Sequence, residues 1–365
     1  MGNESLRWVR PEQSNDLKNI AKMRLRGQTK LRFKRLLSIG FISGMIGGLY
    51  TGLTRSTNPT DLFVGIFVGV GVSLSISASE IFFLRAWMKR RSFTFAVLLR
   101  TAYFLMAIIS ILFMAAVLFG EEGFVTQNFG QLWGQPIAYH DILFSLLMSF
   151  GFSLFFQING LIGGRIFFSF FTGKYHKPIE EDRIFMFLDL KSSTTVAEKI
   201  GDINFHKFIN DFLFTISEAI IVNRGEIYKY VGDEVIITWK MKEGLKDWHC
   251  IRLFFEAVDH VKENRNLFEK KYGIVPEFKA GMHCGKVVSG EMGDTKREIA
   301  FLGDVINTTA RIEGECNSYQ RPLLISVDLL QKINLGKEYK CEGIGSIPLR
   351  GKMEAIELYA VERNP

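Results

Sequence analysis

Residues 184–194 read IFMFLDLKSST: five apolar residues, an aspartate, and then a run of hydroxyls that opens a helical pattern. An uninterrupted apolar run of this kind is a strand buried on both faces. Its carboxylate, Asp189, lies at the strand's mouth beside Leu190, just before Ser192, Ser193, Thr194 and Thr195 begin a helix. A carboxylate in that place can hold a divalent cation, while the free N–H groups of a helix start receive phosphate oxygens. The same residues also fit an ordinary helix N-cap at Asp189.

Downstream, EIYKYVGDEVIITW (226–239) is two β-rich runs joined at Gly232-Asp233, a tight hairpin that carries Asp233 at its tip. Asp233 can then meet Asp189 from the neighbouring strand in a two-carboxylate metal site; a plain Gly-Asp turn has the same pattern. REIAFLGDVINTTARIEGEC (297–316) reads as a strand, a Gly303-Asp304 turn and a helix with Asn307 and Arg311 four apart on one face. An amide and a guanidinium so placed can act on one ligand, and a solvated helix face capped by Asp304 is the bland alternative.

These pieces sit in an α/β pattern: a strand at 184–190, helical stretches to about 222, two strands around Gly232-Asp233 and a helix from about 247 to 271. Paired strands from 277 to 291, a strand near 299 and a helix from about 304 follow. Strand, helix, strand, strand, helix, strand is the α+β ferredoxin-like βαββαβ core, expected over residues 184–365.

The half that precedes it is different in kind. Residues 1–35 are polar and basic, with no apolar segment early enough to be a cleavable signal. Four apolar runs follow, at about 36–54, 62–88, 93–119 and 142–171, each near or above the ~20 residues that cross a bilayer as a helix. The expectation is an α-helical four-span membrane domain over 36–171. Arg85, Lys89, Arg90 and Arg91 lie between the second and third runs, whereas 120–140 holds Glu121 and Glu122 and no Lys or Arg. That asymmetry predicts a multi-pass protein of the plasma (inner) membrane with both termini cytoplasmic. Gly40, Gly44 and Gly48, with Gly65 and Gly69, form small-xxx-small stripes that either pack helices or reflect the general abundance of glycine in membrane helices. Arg100, toward the cytoplasmic end of its run, is expected to reach the interface or a partner. Residues 172–183, TGKYHKPIEEDR, read as a linker broken at Pro178.

The net charge of +7 is explained by the basic N-terminal stretch and the short loops, a membrane-topology pattern with no nucleic-acid-binding face. Cys250, Cys284, Cys316 and Cys341 have no CxxC spacing, so neither a zinc site nor a disulfide framework is expected.

Taken together, the three motifs, in this order and spacing, resemble the catalytic domain of class III adenylyl and guanylyl cyclases, in the form of a membrane-anchored bacterial-type adenylate cyclase. The resemblance runs from about Arg183 to the C-terminus. It implies two Mg or Mn ions per active site held by Asp189 and Asp233, with Leu190 in the same set, and a triphosphate received near Ser192, Ser193 and Thr194. It implies that Lys229 contacts the adenine edge, that Asn307 orients the ribose and that Arg311 stabilises charge on phosphorus, these three coming from the other protomer of a homodimer. In LRGKMEAIELY (349–359), Arg350 or Lys352 corresponds to a triphosphate contact. The substrate implied is ATP, with 3′,5′-cyclic AMP and pyrophosphate as products. One position departs from the family's pattern. Seven residues before Asn307, where an Asp or Thr would help to select the purine, stands Ala300, whose side chain has no hydrogen-bonding group. A guanylate cyclase on the same scaffold is the alternative, and a silent nucleotide-binding domain would be expected to have lost one of the four key residues.

Overall fold

The computed structural model describes residues 41–49, 59–79, 92–119, 172–295, 297–348 and 355–364, together with the isolated positions 37, 52, 150, 151, 154 and 158. The chain forms two compact units, Met1–Ile162 and Gly163–Pro365.

In the first unit, α1 (Pro59–Ser79) and α2 (Phe93–Phe119) are long and apolar enough to cross a membrane. At about 1.5 Å per residue both reach the ~30 Å of a hydrocarbon core. Leu98, Met106 and Ile109 on α2 are more than 60% exposed, a surface that suits lipid better than water. The stretch 41–49 is helical and meets α1 at glycines: a Cβ on Gly47 would lie 2.3 Å from the Gly65 carbonyl oxygen, and one on Gly69 2.5 Å from that of Ser43. Gly65 and Gly69 therefore pack backbone to backbone, against Gly47 and Ser43, while Gly44 and Gly48 meet the side chains of Val70 and Ile66. Ser75 and Tyr103 hydroxyls, 3.3 Å apart, link α1 to α2. Arg100 is 5% exposed, buried within the unit. Of the four expected spans, 93–119 coincides with α2 and 62–88 is described only to Ser79. The run 36–54 is described at 37, 41–49 and 52, whereas nearly all of 142–171 lies outside the described residues, as does Arg350.

The second unit is built on one sheet with the order β2-β3-β1-β4-β6-β8-β7, β5 pairing the far end of β4. Its strands are β1 (Ile179–Leu190), β2 (Glu226–Val231), β3 (Glu234–Lys240), β4 (Phe278–Met292), β5 (Glu298–Leu302), β6 (Leu323–Ser326), β7 (Tyr339–Ile347) and β8 (Ile356–Arg363). Central β1 runs antiparallel to both β3 and β4, which is the expected ferredoxin-like core, β2-β3-β1-β4. The apolar run is explained by burial on both faces. Ile184, Met186 and Leu188 pack with Phe208, Phe212 and Ile216 of α4 (Asp202–Val222) and with Leu253 and Phe254 of α6 (His249–Glu263). Phe185 and Phe187 point the other way, into a cluster with Val287, Phe301 and Val305. Three short helices pack on the same core: α3 (Ser193–Ile200), α5 (Met241–Leu245) and α7 (Arg265–Tyr272). Beyond them lie α8 (Asp304–Ser318), which bears Asn307 and Arg311, and α9 (Val327–Lys332).

Three expectations need correction. First, the linker ends at Pro178, because β1 starts at Ile179 and pairs with β4 from its first residue. Charged residues at 180–183 hid this half of the strand, where Arg183 is 1% exposed within a polar network. Second, residues 277–291 are not paired strands; from Phe278 onward they belong to the single 15-residue β4, which runs to Met292. Its glycines serve packing and not turns: a Cβ at Gly281 would sit 2.2 Å from the Glu313 backbone nitrogen, so α8 lies directly on the strand. Third, the helix expected at 247–271 is two, α6 and α7, which meet at Asn264.

Candidate active site

Asp189 stands at the end of β1, one residue beyond the pairing of Leu188 with Val235, so the β2–β3 hairpin tip falls beside it. Gly232 takes φ 64 there, the left-handed conformation that glycine supplies without steric cost. This local turn chemistry is what brings Asp233 to Asp189. Burial, followed by the charges of Asp233 and Glu313, pushes Asp189 up to about 6. Glu234 rises to about 7, through burial and then the charges of Glu313, Asp189 and Asp233. Asp189 does not cap the helix after it: α3 is preceded by Ser192, whose φ of 54 is left-handed and whose side chain makes no cap bond. The hydroxyls of Ser192, Ser193 and Thr194 thus surround the helix start, where backbone N–H groups lack intrahelical partners.

Lys279 on β4 enters the acidic cluster from within. Its ammonium is 2.5 Å from Glu313 on α8 and 3.5 Å from Asp189, with a side chain 7% exposed. Neither Lys279 nor Glu313 nor Glu234 stands out in the sequence, because their proximity depends on sheet order and on Gly281 letting α8 approach.

The donor set fits a hard divalent cation. Oδ2 of Asp233 is buried without a hydrogen-bond partner, and its neighbour Asp189 is a second carboxylate whose pKa is raised by burial and by the negative charges around it. Oxygen ligands from carboxylates are what Mg and Mn prefer. Among the described residues no three His, Cys, Asp or Glu side chains converge as a ready metal cluster, so the pair Asp189 and Asp233 is the core of what the chain offers.

On α8, Asn307 is exposed and Arg311 is half-buried with Nη1 lacking a hydrogen-bond partner. Asp304 is the first residue of the helix and not its cap; its carboxylate accepts from the Thr308 hydroxyl at 3.2 Å. Lys229 projects from β2 and donates to Glu298 at the start of β5, 2.9 Å away. Two residues along β5, Ala300 is 7% exposed and paired with Gly290. Sequence reasoning missed Glu298, whose link to Lys229 spans 69 positions. The cysteines are free, as expected, three of them buried.

Residues 176–363 match the family described as Adenylate and Guanylate cyclase catalytic domain. Adenylate cyclase 2 of Rhizobium meliloti (strain 1021) is 33% identical over 205 residues, 56% of this chain and 56% of that protein. The adenylate cyclase of Anabaena cylindrica is 30% identical over 183 residues, 48% of this chain and 36% of that one. The chain thus spans about half the length, or less, of these curated relatives. A bacterial light-regulated adenylyl cyclase shares the fold, with a TM-score of 0.52 at 20% identity over 60% of this chain and 64% of that one. With the family match covering just over half of the chain and the acidic hairpin, the α3 start and α8 all inside it, the chain belongs to the adenylate and guanylate cyclase catalytic-domain family.

Proposed function

We propose that this chain is a membrane-held adenylate cyclase that converts ATP into 3′,5′-cyclic AMP and pyrophosphate. The observation that carries the reading is the adjacent carboxylate pair Asp189 and Asp233 with the buried, unpartnered Oδ2 of Asp233, in a chain that also offers the unpartnered guanidinium N–H of Arg311. Both relatives named above are adenylate cyclases, which supports ATP as the substrate.

Asp189 and Asp233, with the backbone at Leu190, would hold two Mg or Mn ions, which when bound favour ionisation of the ribose 3′-hydroxyl and neutralise the departing pyrophosphate. The start of α3, with Ser192, Ser193 and Thr194, receives phosphate oxygens. Asn307 orients the ribose, and Arg311 supplies donors where negative charge builds around the α-phosphorus. Lys229 faces the purine, and Arg350 is a candidate triphosphate contact. Because the metal carboxylates and the Asn307–Arg311 pair serve opposite composite sites, a homodimer is required, with active sites at the protomer interface. The apolar runs form a four-span anchor in the inner membrane with both termini cytoplasmic, and no nucleic acid is a partner. Guanylate cyclase activity is the second reading, favoured by the absence of a hydrogen-bonding side chain at Ala300.

The test is product identification by mass for the full chain given Mn and either ATP or GTP. Cyclic AMP from ATP is the expected result; cyclic GMP as the main product selects the second reading, and no cyclic product from either overturns both. Co-expressed Asp189→Ala and Arg311→Ala chains regain part of the activity in heterodimers, since one composite site is intact. Heterodimers that form without rescue contradict the shared site.

A further inference from the structure

Arg183 is a buried cation that the reaction described above does not use. Its side chain, on the half of β1 hidden in the expected linker, is almost wholly enclosed. Each guanidinium nitrogen has a partner: Nε donates to Glu181 at 2.9 Å, Nη1 to Glu226 at 3.1 Å and Nη2 to the Tyr175 hydroxyl at 3.2 Å. Lys174 completes the set through Glu181 at 2.7 Å, and with Arg183 it holds that carboxyl at about 2 against the opposing effect of burial.

The plane of the guanidinium does something else. Its carbon lies 4.5 Å from the centre of the Phe301 ring, and the far side of the same cluster is Tyr228, edge-on to Phe301 at 4.8 Å. The Phe301 backbone N–H donates to the Tyr228 hydroxyl at 3.4 Å. Tyr228 and Phe301 are the immediate neighbours of Lys229 and Ala300. Moreover, β2 carries a bulge here: Ile227 pairs with Ile237 and Lys229 with Ile236, so Tyr228 is the extra residue. A bulge re-aims side chains, and this one sends Tyr228 to β5 and leaves Lys229 to reach Glu298. Arg183 grips both partners, β2 at Glu226 and β5 at Phe301.

We infer that Arg183 is a positioning residue for the purine subsite, acting through Phe301 and the Tyr228 bulge to fix the separation of Lys229 from the β5 backbone at Ala300. This rests on the reading of Lys229 and position 300 as purine-facing. With no side-chain group at Ala300, recognition at that position falls to the β5 backbone, whose placement depends on this clamp.

The experiment compares ATP and GTP kinetics in the full chain for Arg183→Lys and Tyr228→Phe, with Ile236→Val as a packing control from the same cluster. Arg183→Lys keeps a cation for Glu181 and Glu226 but loses the planar face and fork. Tyr228→Phe removes only the hydroxyl and carries the test if Arg183→Lys does not fold. Each is expected to raise KM for ATP roughly fivefold and to lower the ATP-to-GTP preference by about as much, with kcat within about twofold. Displacement of a fluorescent ATP analogue by ATP or GTP reads the same ratio without turnover. A wild-type chain that selects ATP, with Arg183→Lys and Tyr228→Phe giving the Ile236→Val ratio, overturns the inference alone. A wild-type chain that neither turns over nor binds either nucleotide overturns the underlying reading, and the inference with it.

Discussion

Around Arg183, opposite charges are matched nitrogen to oxygen: Glu181, Glu226, Tyr175 and the exposed Lys174 close around a buried guanidinium in a satisfied network. Around Asp189, at the other end of the same strand, Asp233, Glu234 and Glu313 crowd together with Lys279 between them. The first arrangement lowers the pKa of its carboxylate Glu181 and the second raises those of Asp189 and Glu234. A satisfied network fixes geometry, while an unsatisfied acidic cluster stores affinity for a cation. One strand thus carries a satisfied polar network at its start and a crowded acidic cluster at its end.

The comparison breaks most visibly in turnover. Asp189→Ala, Asp233→Ala and Arg311→Ala are each expected to cut cyclic nucleotide formation by about a thousandfold or more, the scale of losing a preorganised charge in the transition state. Retention of a tenth of the wild-type rate by any of them removes that residue from the site.

Lys279→Met separates binding from stability. Loss of the buried partner of Glu313 should cost about 3 kcal/mol in the metal-free protein, while removal of a cation beside Asp189 tightens Mn binding roughly tenfold. Denaturant melts and Mn titrations read the two effects, and parallel losses in both would make Lys279 a simple core residue.

Acidity sharpens the contrast further. Asp189 ionises near 3.8 in an unfolded chain and near 6 in the fold, and Glu234 near 4.5 and near 7, so the folded state binds more protons over this range. Metal-free stability therefore falls as pH rises from about 4 to about 7 on account of these groups, and Mn restores it at the upper end. A melting temperature whose Mn-dependent gain does not grow between about pH 5 and pH 7.5 contradicts that assignment. The smallest effect belongs to the exposed pair: Glu298→Gln should change stability by less than about 0.5 kcal/mol, while KM for ATP shifts a few-fold as Lys229 is released.

What the sequence discloses follows from range. Asp189 at a strand end, Asp233 after Gly232, and Asn307 and Arg311 at helical spacing are local patterns, and each stands where its pattern places it. Arg183, Lys279, Glu298 and Glu313 acquire meaning only from partners brought near by sheet order. The charged start of β1 looked like a linker because exposed Glu180 and Asp182 alternate with Glu181 and buried Arg183, whose charges pair with each other. Gly281 and Gly285 lie within β4, where they admit the helix α8 and its residue Val305.

The central claim is that the carboxylates at the end of β1 bind a divalent cation. Its most direct test is the melting temperature of the purified full chain across a Mn titration at about pH 7.5, for wild type, Asp189→Asn and Asp233→Asn. The account predicts a saturable rise in the wild type that is lost in both variants. A wild type that melts at one temperature throughout, or variants that keep the rise, would contradict it.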